Sequence, residues 1–203
     1  MACDCFLKTV LSRSSVRWFK SDPVPDDILL KILEAGVRAP NAGGSEQWFF
    51  IVVKDPEMRK KLHELLLEAH EFYATRALKT PLPPDKVSKW VQRIREGMYS
   101  APAYIAGYAD LRKTTHVEGL AEIEKVYTIQ SVAAALENML LVAHALGLGA
   151  VWLGVPLLLK DRFDELLRPP ENCVLQGIIA LGYPAETPRI KPRKPLNDVV
   201  KFI

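Results

Sequence analysis

Two arginines and two serines stand within five residues near the start of the chain, in the stretch RSSVRWF at residues 13–19. Guanidinium groups present paired N–H donors that match phosphate oxygens, and serines add hydroxyl and backbone N–H donors. An arginine pair four residues apart is also typical of a solvated helix face. On these residues alone the solvated face is the better interpretation, and an anion-binding cradle remains the alternative.

The cysteine and histidine patterns predict neither a disulfide framework nor a metal site. The chain has three cysteines, Cys3, Cys5 and Cys173, and an odd count is typical of a reducing cytoplasm instead of a disulfide framework. No histidine stands near Cys3 and Cys5 to complete a metal site. The stretch HELLLEAH at residues 63–70 places its histidines seven apart, whereas a zinc-protease helix needs them four apart. The sequence therefore predicts a cytoplasmic protein without a metal site.

The glycine-bearing stretch LGLGAVWLG at residues 146–154 does not indicate a dinucleotide-binding fold. It follows a helix and precedes a strand, the reverse of the required order, and Trp152 takes the place of the third glycine. No G-x-S-x-G motif indicates a serine nucleophile. An enzyme with this sequence would have to take its reactivity from a cofactor.

Length and composition predict one globular domain with a full core, since 203 residues contain 49% hydrophobic and 25% charged side chains. The formal net charge is +3, and the basic residues are spread along the chain, which argues against nucleic acid as a partner. The stretch FLKTVL near the N-terminus is short and interrupted by Lys8, so it does not predict a signal peptide. No apolar run approaches the ~20 residues of a membrane span.

These candidate residues must be positioned by regular elements, most of them helices. Periodicity and flanking prolines predict helices over residues 25–38, 118–146 and 160–167. They also predict a helix that begins at Asp55-Pro56 and a further helix, after the prolines at 81, 83 and 84, that ends at about residue 95. Continuous β-branched and aromatic runs predict strands at 48–54, 101–110, 150–155 and 173–183. Gly147 and Gly149 predict a left-handed cap of the longest helix. Its centre is apolar on nearly all sides, which indicates burial in the core or between subunits.

From about residue 12 to its C-terminus the chain resembles the nitroreductase family of FMN-dependent flavoproteins. The resemblance rests on five stretches in the family's order: RSSVRWF, the run from VPDDILL to FFIVV, SAPAYIAGYAD, ALGLGAVWLG, and IIALGYPAETPRIKPRKPLNDVV. It implies an α+β fold, an α/β/α sandwich with a mostly antiparallel central sheet. It also implies one FMN-binding domain over residues 1–203, in a homodimer whose C-terminal arm, about 184–203, embraces the partner.

The resemblance assigns an FMN site to three groups of residues. The phosphate would be bound by Arg13, Ser14, Ser15, Arg17, Lys191 and Arg193. The ribityl chain and ring edge would contact Pro40, Asn41, Ala42, Gly43, Gly44 and Gln47. The ring would lie against Val151, Trp152, Leu153 and Gly154, with a backbone N–H near N5. The chain departs from the family's common residues at Ser14, Asn41, Gly44, Glu46 and Gln47.

The implied reaction is ping-pong, with flavin N5 as the reactive centre and no catalytic side chain. NADH or NADPH would deliver hydride and leave, and a nitroaromatic, quinone or similar acceptor would then use the same pocket. Residues 70–100, with Phe72, Tyr73, Trp90 and Tyr99, could cover the ring or belong to the core. Three functions stay open: this broad oxidoreductase, a dehalogenase or flavin-cleaving enzyme of the same fold, and a flavin-binding module without turnover. The physiological acceptor and the preferred nicotinamide are not determined by the sequence.

Overall fold

The computed structural model describes residues 2–112, 119–188 and 190–203. Its helices are α1 (Ala2–Ser12), α2 (Asp26–Val37), α3 (Pro56–Phe72), α4 (Pro84–Arg95), α5 (Ala121–Ala145) and α6 (Lys160–Leu167). Its strands are β1 (Trp48–Val53), β2 (Ala103–Asp110), β3 (Gly149–Leu153) and β4 (Cys173–Gly182). Short 3₁₀ turns cover Ala42–Gly44, Val155–Leu159 and Leu196–Asp198, and a π turn extends α3 over Tyr73–Ala77.

The four strands form one sheet in the order β1-β2-β4-β3, and every neighbouring pair is antiparallel. The two longest strands therefore lie in the centre, and β1 and β3 are the edges. A bulge interrupts the pairing of β2 with β4, since Gly107 lies opposite Gly177 and the next residue, Tyr108, lies opposite Leu175. The extra residue rotates β4 and keeps apolar side chains facing both layers of the core.

Alternation along β2 divides the core into two layers. Tyr104, Ala106 and Tyr108 pack with apolar residues of α3, α4 and α6 on one face of the sheet. Ile105 and Ala109 pack with α2 and α5 on the other face. Because successive strand side chains point to opposite faces, a strand buried on both sides is apolar along its length, as this one is up to its last residue, Asp110. The predicted α+β sandwich with an antiparallel sheet is confirmed.

The longest helix, α5, forms the centre of one layer. It packs on α2 and on the sheet, and its C-terminus has the predicted left-handed cap, with Gly147 at φ 80°. The Leu148 N–H donates to Ala143 O at 2.9 Å and the Gly147 N–H to His144 O at 3.0 Å, the two bonds of a Schellman motif. Gly149 lies outside this cap, because it begins β3. The predicted helix start at residue 118 lies outside the described residues.

Two further features differ from the sequence-based expectation. By length and composition α5 could cross a membrane, but much of it is buried against the sheet, as in the core helix of a globular fold. The first helix, α1, was not predicted, because the apolar stretch FLKTVL is short and interrupted by Lys8. Four of its apolar residues, Phe6, Leu7, Val10 and Leu11, are exposed in the single chain.

Candidate functional site

Residues 15–20 lie between the edge of β3 and the start of the C-terminal arm. Ser15 pairs with Ala150 in a parallel bridge, and the Val16 N–H donates to Ala150 O at 3.1 Å. On the other side the Lys20 N–H donates to Tyr183 O at 2.8 Å, and the Ala185 N–H donates to Trp18 O at 2.9 Å. These backbone bonds bring together the two chain ends that carry the predicted phosphate ligands.

Close packing of this segment on β3 depends on a glycine. A Cβ atom on Gly149 would lie 2.7 Å from both Cβ and Cγ1 of Val16, inside van der Waals contact. Val16 is β-branched and buried, so it has no alternative rotamer that clears this space easily. Gly149 thus permits the approach that places the arginines beside the strand.

All six predicted phosphate ligands line one cavity of about 450 Å³, which we call the phosphate cavity. Its walls are formed by Val10, Leu11, Arg13, Ser14, Ser15, Arg17, Glu137, Ile190, Lys191 and Arg193. Four of these side chains are cations and one is a carboxylate. The solvated-face interpretation of the arginine pair does not account for this convergence.

The cations of the phosphate cavity are partly oriented by the protein. Arg13 Nε lies 3.6 Å from Glu137 Oε1, and the Arg13 side chain is 18% exposed. Arg17 Nη1 donates to Ser15 O at 3.2 Å. Burial, followed by the nearby Arg13 charge, lowers the pKa of His144, which shares a 2.8 Å hydrogen bond with Ser12 Oγ. The positive charge of this region is therefore held in place before a ligand arrives.

Ser14 supplies the observation that points most directly to a ligand. Its Oγ is buried and has no hydrogen-bond partner among the described residues. A buried hydroxyl without a partner costs about 1–3 kcal/mol. A phosphate in the cavity would accept this hydrogen bond, so the donor set fits the phosphate of FMN.

Two acidic residues of the site were missed by sequence reasoning. Glu137 lies against Arg13, and Glu186 Oε1 accepts a 2.9 Å hydrogen bond from the Arg17 N–H, which ties the C-terminal arm to residue 17. An acidic residue carries no sequence signal for an anion site, because its role here is to position the arginines and the arm. The roles of Glu137 and Glu186 can therefore be identified only from their contacts in the folded chain.

The loop predicted to contact the ribityl chain does not line the phosphate cavity. Pro40, Asn41 and Ala42 border a separate cavity of about 310 Å³ against α5, which shares no lining residue with the phosphate cavity. The Ala42 N–H donates to Ser131 Oγ at 3.2 Å. Asn41 Oδ1 accepts from the Glu46 N–H at 2.9 Å, so this amide shapes the loop. Gly43 and Gly44 are exposed, with φ of 60° and 67°.

Gln47 has internal partners. The residue is only 5% exposed. Its Nε2 donates to Glu124 Oε1 at 3.2 Å, and its Oε1 accepts from Thr128 Oγ1 at 3.1 Å. These bonds join the start of β1 to α5. The structure therefore gives Gln47 a role in holding the loop on α5, and its contact with a cofactor stays a prediction.

The predicted ring-binding segment presents backbone more than side chains. Val151 and Leu153 are buried in the core layer of α3, and Trp152 packs into the opposite layer. Gly154 is exposed, and nothing lies within 4 Å of the position where its Cβ would stand. This segment follows directly from Ala150, the partner of Ser15, but none of its four residues lines the phosphate cavity.

The four aromatic residues of the 70–100 region have different surroundings. Tyr99 is buried in the core layer of α3 with Trp90 packed against it, whereas Phe72 and Tyr73 are half-buried and belong to neither core layer. Trp90 and Tyr99 line a third cavity, whereas Phe72 and Tyr73 do not. Behind Tyr99 lies His70, whose ring stacks on the tyrosine ring with centroids 4.7 Å apart. Burial, with a smaller contribution from His63, lowers the pKa of His70 to about 4. This histidine is therefore a neutral part of the core.

Comparisons with known proteins agree with this architecture. The model of the nitroreductase family matches residues 10–183. A Thermus thermophilus protein named NADH dehydrogenase is 32% identical over 195 residues, which cover 94% of this chain and 92% of that protein. Rat iodotyrosine deiodinase 1 is 27% identical over 199 residues, 96% of this chain and 68% of the relative. The crystal structure of a Bacteroides fragilis nitroreductase with bound FMN superposes with a TM-score of 0.68 at 25% identity, covering 98% of each chain.

Proposed function

The chain belongs to the nitroreductase family, and on that premise we propose that it is an FMN-dependent oxidoreductase that takes electrons from NADH or NADPH. The observation that carries the proposal is the phosphate cavity, which is lined by four cations and by a serine whose buried hydroxyl has no hydrogen-bond partner among the described residues. The FMN-bound relative and the relative named NADH dehydrogenase support the same cofactor and donor.

The protein's own residues bind and orient the cofactor in this proposal. Arg13, Arg17, Lys191 and Arg193 would hold the phosphate, and each charge-assisted hydrogen bond would contribute about 1.5–3 kcal/mol. The Ser14 hydroxyl donates a further bond. The backbone of residues 151–154 would contact one face of the ring and leave the opposite face for substrates. When bound, FMN supplies the hydride chemistry, and the fixed N–H donors and positive charges stabilise negative charge that develops on it.

We further propose a homodimer with the site shared between the two copies. Within one chain the Pro40 loop and the phosphate cavity are separate, which fits a site completed by a second copy. Apolar side chains are exposed on three elements that could form the interface: on α1, on the outer face of α5 at Ile123, Val126 and Tyr127, and at the C-terminus at Leu196, Val199, Val200, Phe202 and Ile203. An exposed apolar surface of this extent is typical of a subunit interface. The embracing arm and the cytoplasmic location stay predictions.

A second candidate function is reductive dehalogenation, which is favoured by the similarity to iodotyrosine deiodinase 1. The two candidates share the cofactor and differ in the acceptor. Both differ from a flavin-binding module, which would bind FMN without turnover.

A substrate panel on the purified, FMN-loaded protein separates these candidates. We expect oxidation of NADH or NADPH with menadione or a nitroaromatic, and parallel lines in double-reciprocal plots, because both substrates use one open face of the ring in turn. Flat aromatic acids should inhibit competitively. Dehalogenation of iodotyrosine in place of these reactions would favour the second candidate. Absence of nicotinamide oxidation with every acceptor would contradict both enzymatic functions.

A further inference from the structure

A second positively charged cavity adjoins the phosphate cavity. It has a volume of about 580 Å³, and we call it the α4 cavity. Its walls are formed by Arg17, Trp18, Lys86, Lys89, Trp90, Arg93, Met98, Tyr99, Glu186 and Lys191. Arg17 and Lys191 line both cavities, so the two form neighbouring compartments of one basic region.

The charge of the α4 cavity is not balanced by its surroundings. Five of its lining residues are cations, and Glu186 alone is acidic. Lys86, Lys89 and Arg93 are exposed and stand at positions i, i+3 and i+7 of α4, so they share a helix face. Within the described residues Lys86 and Arg93 form no ion pair, and Lys89 lies 3.9 Å from Asp85. That exposed pair contributes little, so this face can bind an anion.

The same cavity has a wall of flat aromatic rings. The Arg93 guanidinium lies 5.9 Å from the centroid of the Trp18 ring. His70 stacks behind Tyr99 with an interplanar angle of 2° and lies 5.3 Å from the Trp90 centroid. The aromatic side chains are thus supported from behind. A ligand that joins a flat ring to a phosphate would meet both kinds of surface.

We propose that the α4 cavity binds the adenosine end of NADPH, with the 2′-phosphate on Lys86, Lys89 and Arg93 and the adenine against the tryptophans. This inference rests on the proposed function, and it identifies NADPH as the preferred donor because NADH lacks the 2′-phosphate. Three cations that line the α4 cavity but not the phosphate cavity match a phosphate dianion better than a single carboxylate. The shared Arg17 and Lys191 place this end of the dinucleotide next to the cofactor.

The test uses nucleotide fragments and requires no turnover. Binding of 2′,5′-ADP and of 5′-AMP to the FMN-loaded protein is measured by calorimetry and by quenching of tryptophan fluorescence. We expect 2′,5′-ADP to bind at least about tenfold more tightly, since one charge-assisted hydrogen bond is enough for that ratio. In the double variant Lys86→Ala, Arg93→Ala the ratio should fall close to one. Arg95→Ala removes an exposed cation of α4 that does not line the cavity, and this control should keep the wild-type ratio.

Three results would overturn the inference. Equal binding of the two nucleotides by the wild type would show that the cavity does not recognise the 2′-phosphate. If the double variant instead weakened binding of 4-nitrobenzoate and left 2′,5′-ADP unchanged, the cavity would belong to an anionic acceptor. Loss of FMN from the double variant would make the α4 cavity part of the flavin site. Failure of the proposed function is separate, because it appears as absence of FMN binding in the wild type.

Discussion

Replacing His70 with phenylalanine should remove a pH-dependent loss of stability. His70 is 5% exposed, and neither of its ring nitrogens has a hydrogen-bond partner among the described residues. Its ring packs between Tyr99 and Trp90, and the electrostatic effect of His63 also disfavours its protonation. Phenylalanine keeps a flat ring at this position and cannot bind a proton.

The magnitude follows from the lowered pKa. The unfolded chain protonates His70 below about pH 6.5, whereas the folded protein does so only near pH 4. Between these values the unfolded state binds more protons, so the free energy of unfolding falls as the pH falls. At about 1.36 kcal/mol per pH unit the full loss is about 3.4 kcal/mol, of which about 2 kcal/mol falls between pH 7 and pH 5.

Urea unfolding followed by circular dichroism at pH 7 and pH 5, with saturating FMN, measures this difference. The wild type should lose about 2 kcal/mol more than His70→Phe on acidification. Both proteins keep the same cofactor site, so the pH dependence of FMN binding cancels in the comparison. His63→Gln, a substitution on the same helix, should keep most of this loss, because burial is the larger cause of the lowered pKa of His70. Equal losses in the wild type and His70→Phe would refute the burial argument.

Three further predictions concern the site and its assembly. Gly149→Ala should push Val16 off β3 and weaken FMN binding at least several-fold, measured by fluorescence titration. The control Gly119→Ala should leave FMN affinity unchanged, because the space around this glycine is open, although its φ is positive. Glu186→Ala should loosen the arm that carries Lys191 and Arg193 and raise the dissociation constant for FMN, whereas the exposed control Glu171→Ala should not. Unchanged FMN affinity in Glu186→Ala would contradict the role of the Arg17–Glu186 bond. Deletion of the residues after Pro184 should cost both dimer and FMN by light scattering and absorbance, and a stable FMN-loaded monomer would contradict the shared site.

Local sequence patterns predicted most of the fold. The apolar run of β2 and the proline and glycine boundaries of α2 and α5 have local causes, namely side-chain alternation, fixed proline φ and the left-handed cap at Gly147. Helix α1 was not predicted, because the short apolar stretch FLKTVL is interrupted by Lys8, and four of its apolar residues stay exposed in the described chain. The sequence alone could not decide whether such a segment folds.

The candidate site depended on contacts between distant residues. The arginine pair was visible in the sequence, but its convergence with Lys191 and Arg193 follows from the bridges Ser15–Ala150 and Phe19–Pro184. The internal bonds of Gln47 reach residues 77 and 81 positions away. No local pattern specifies such pairings, so the engagement of Gln47 and the positioning role of Glu186 became visible only in the folded chain.

The affinity of the protein for FMN relative to riboflavin tests the central claim most directly, because the two ligands differ only in the phosphate. We expect FMN to bind at least about a hundredfold more tightly, as two charge-assisted hydrogen bonds to the phosphate would provide. In Arg17→Ala and Arg193→Ala this ratio should fall at least about tenfold, while the affinity for riboflavin changes little. Equal affinity for FMN and riboflavin in the wild type, or an unchanged ratio in both variants, would contradict the assignment of the phosphate cavity.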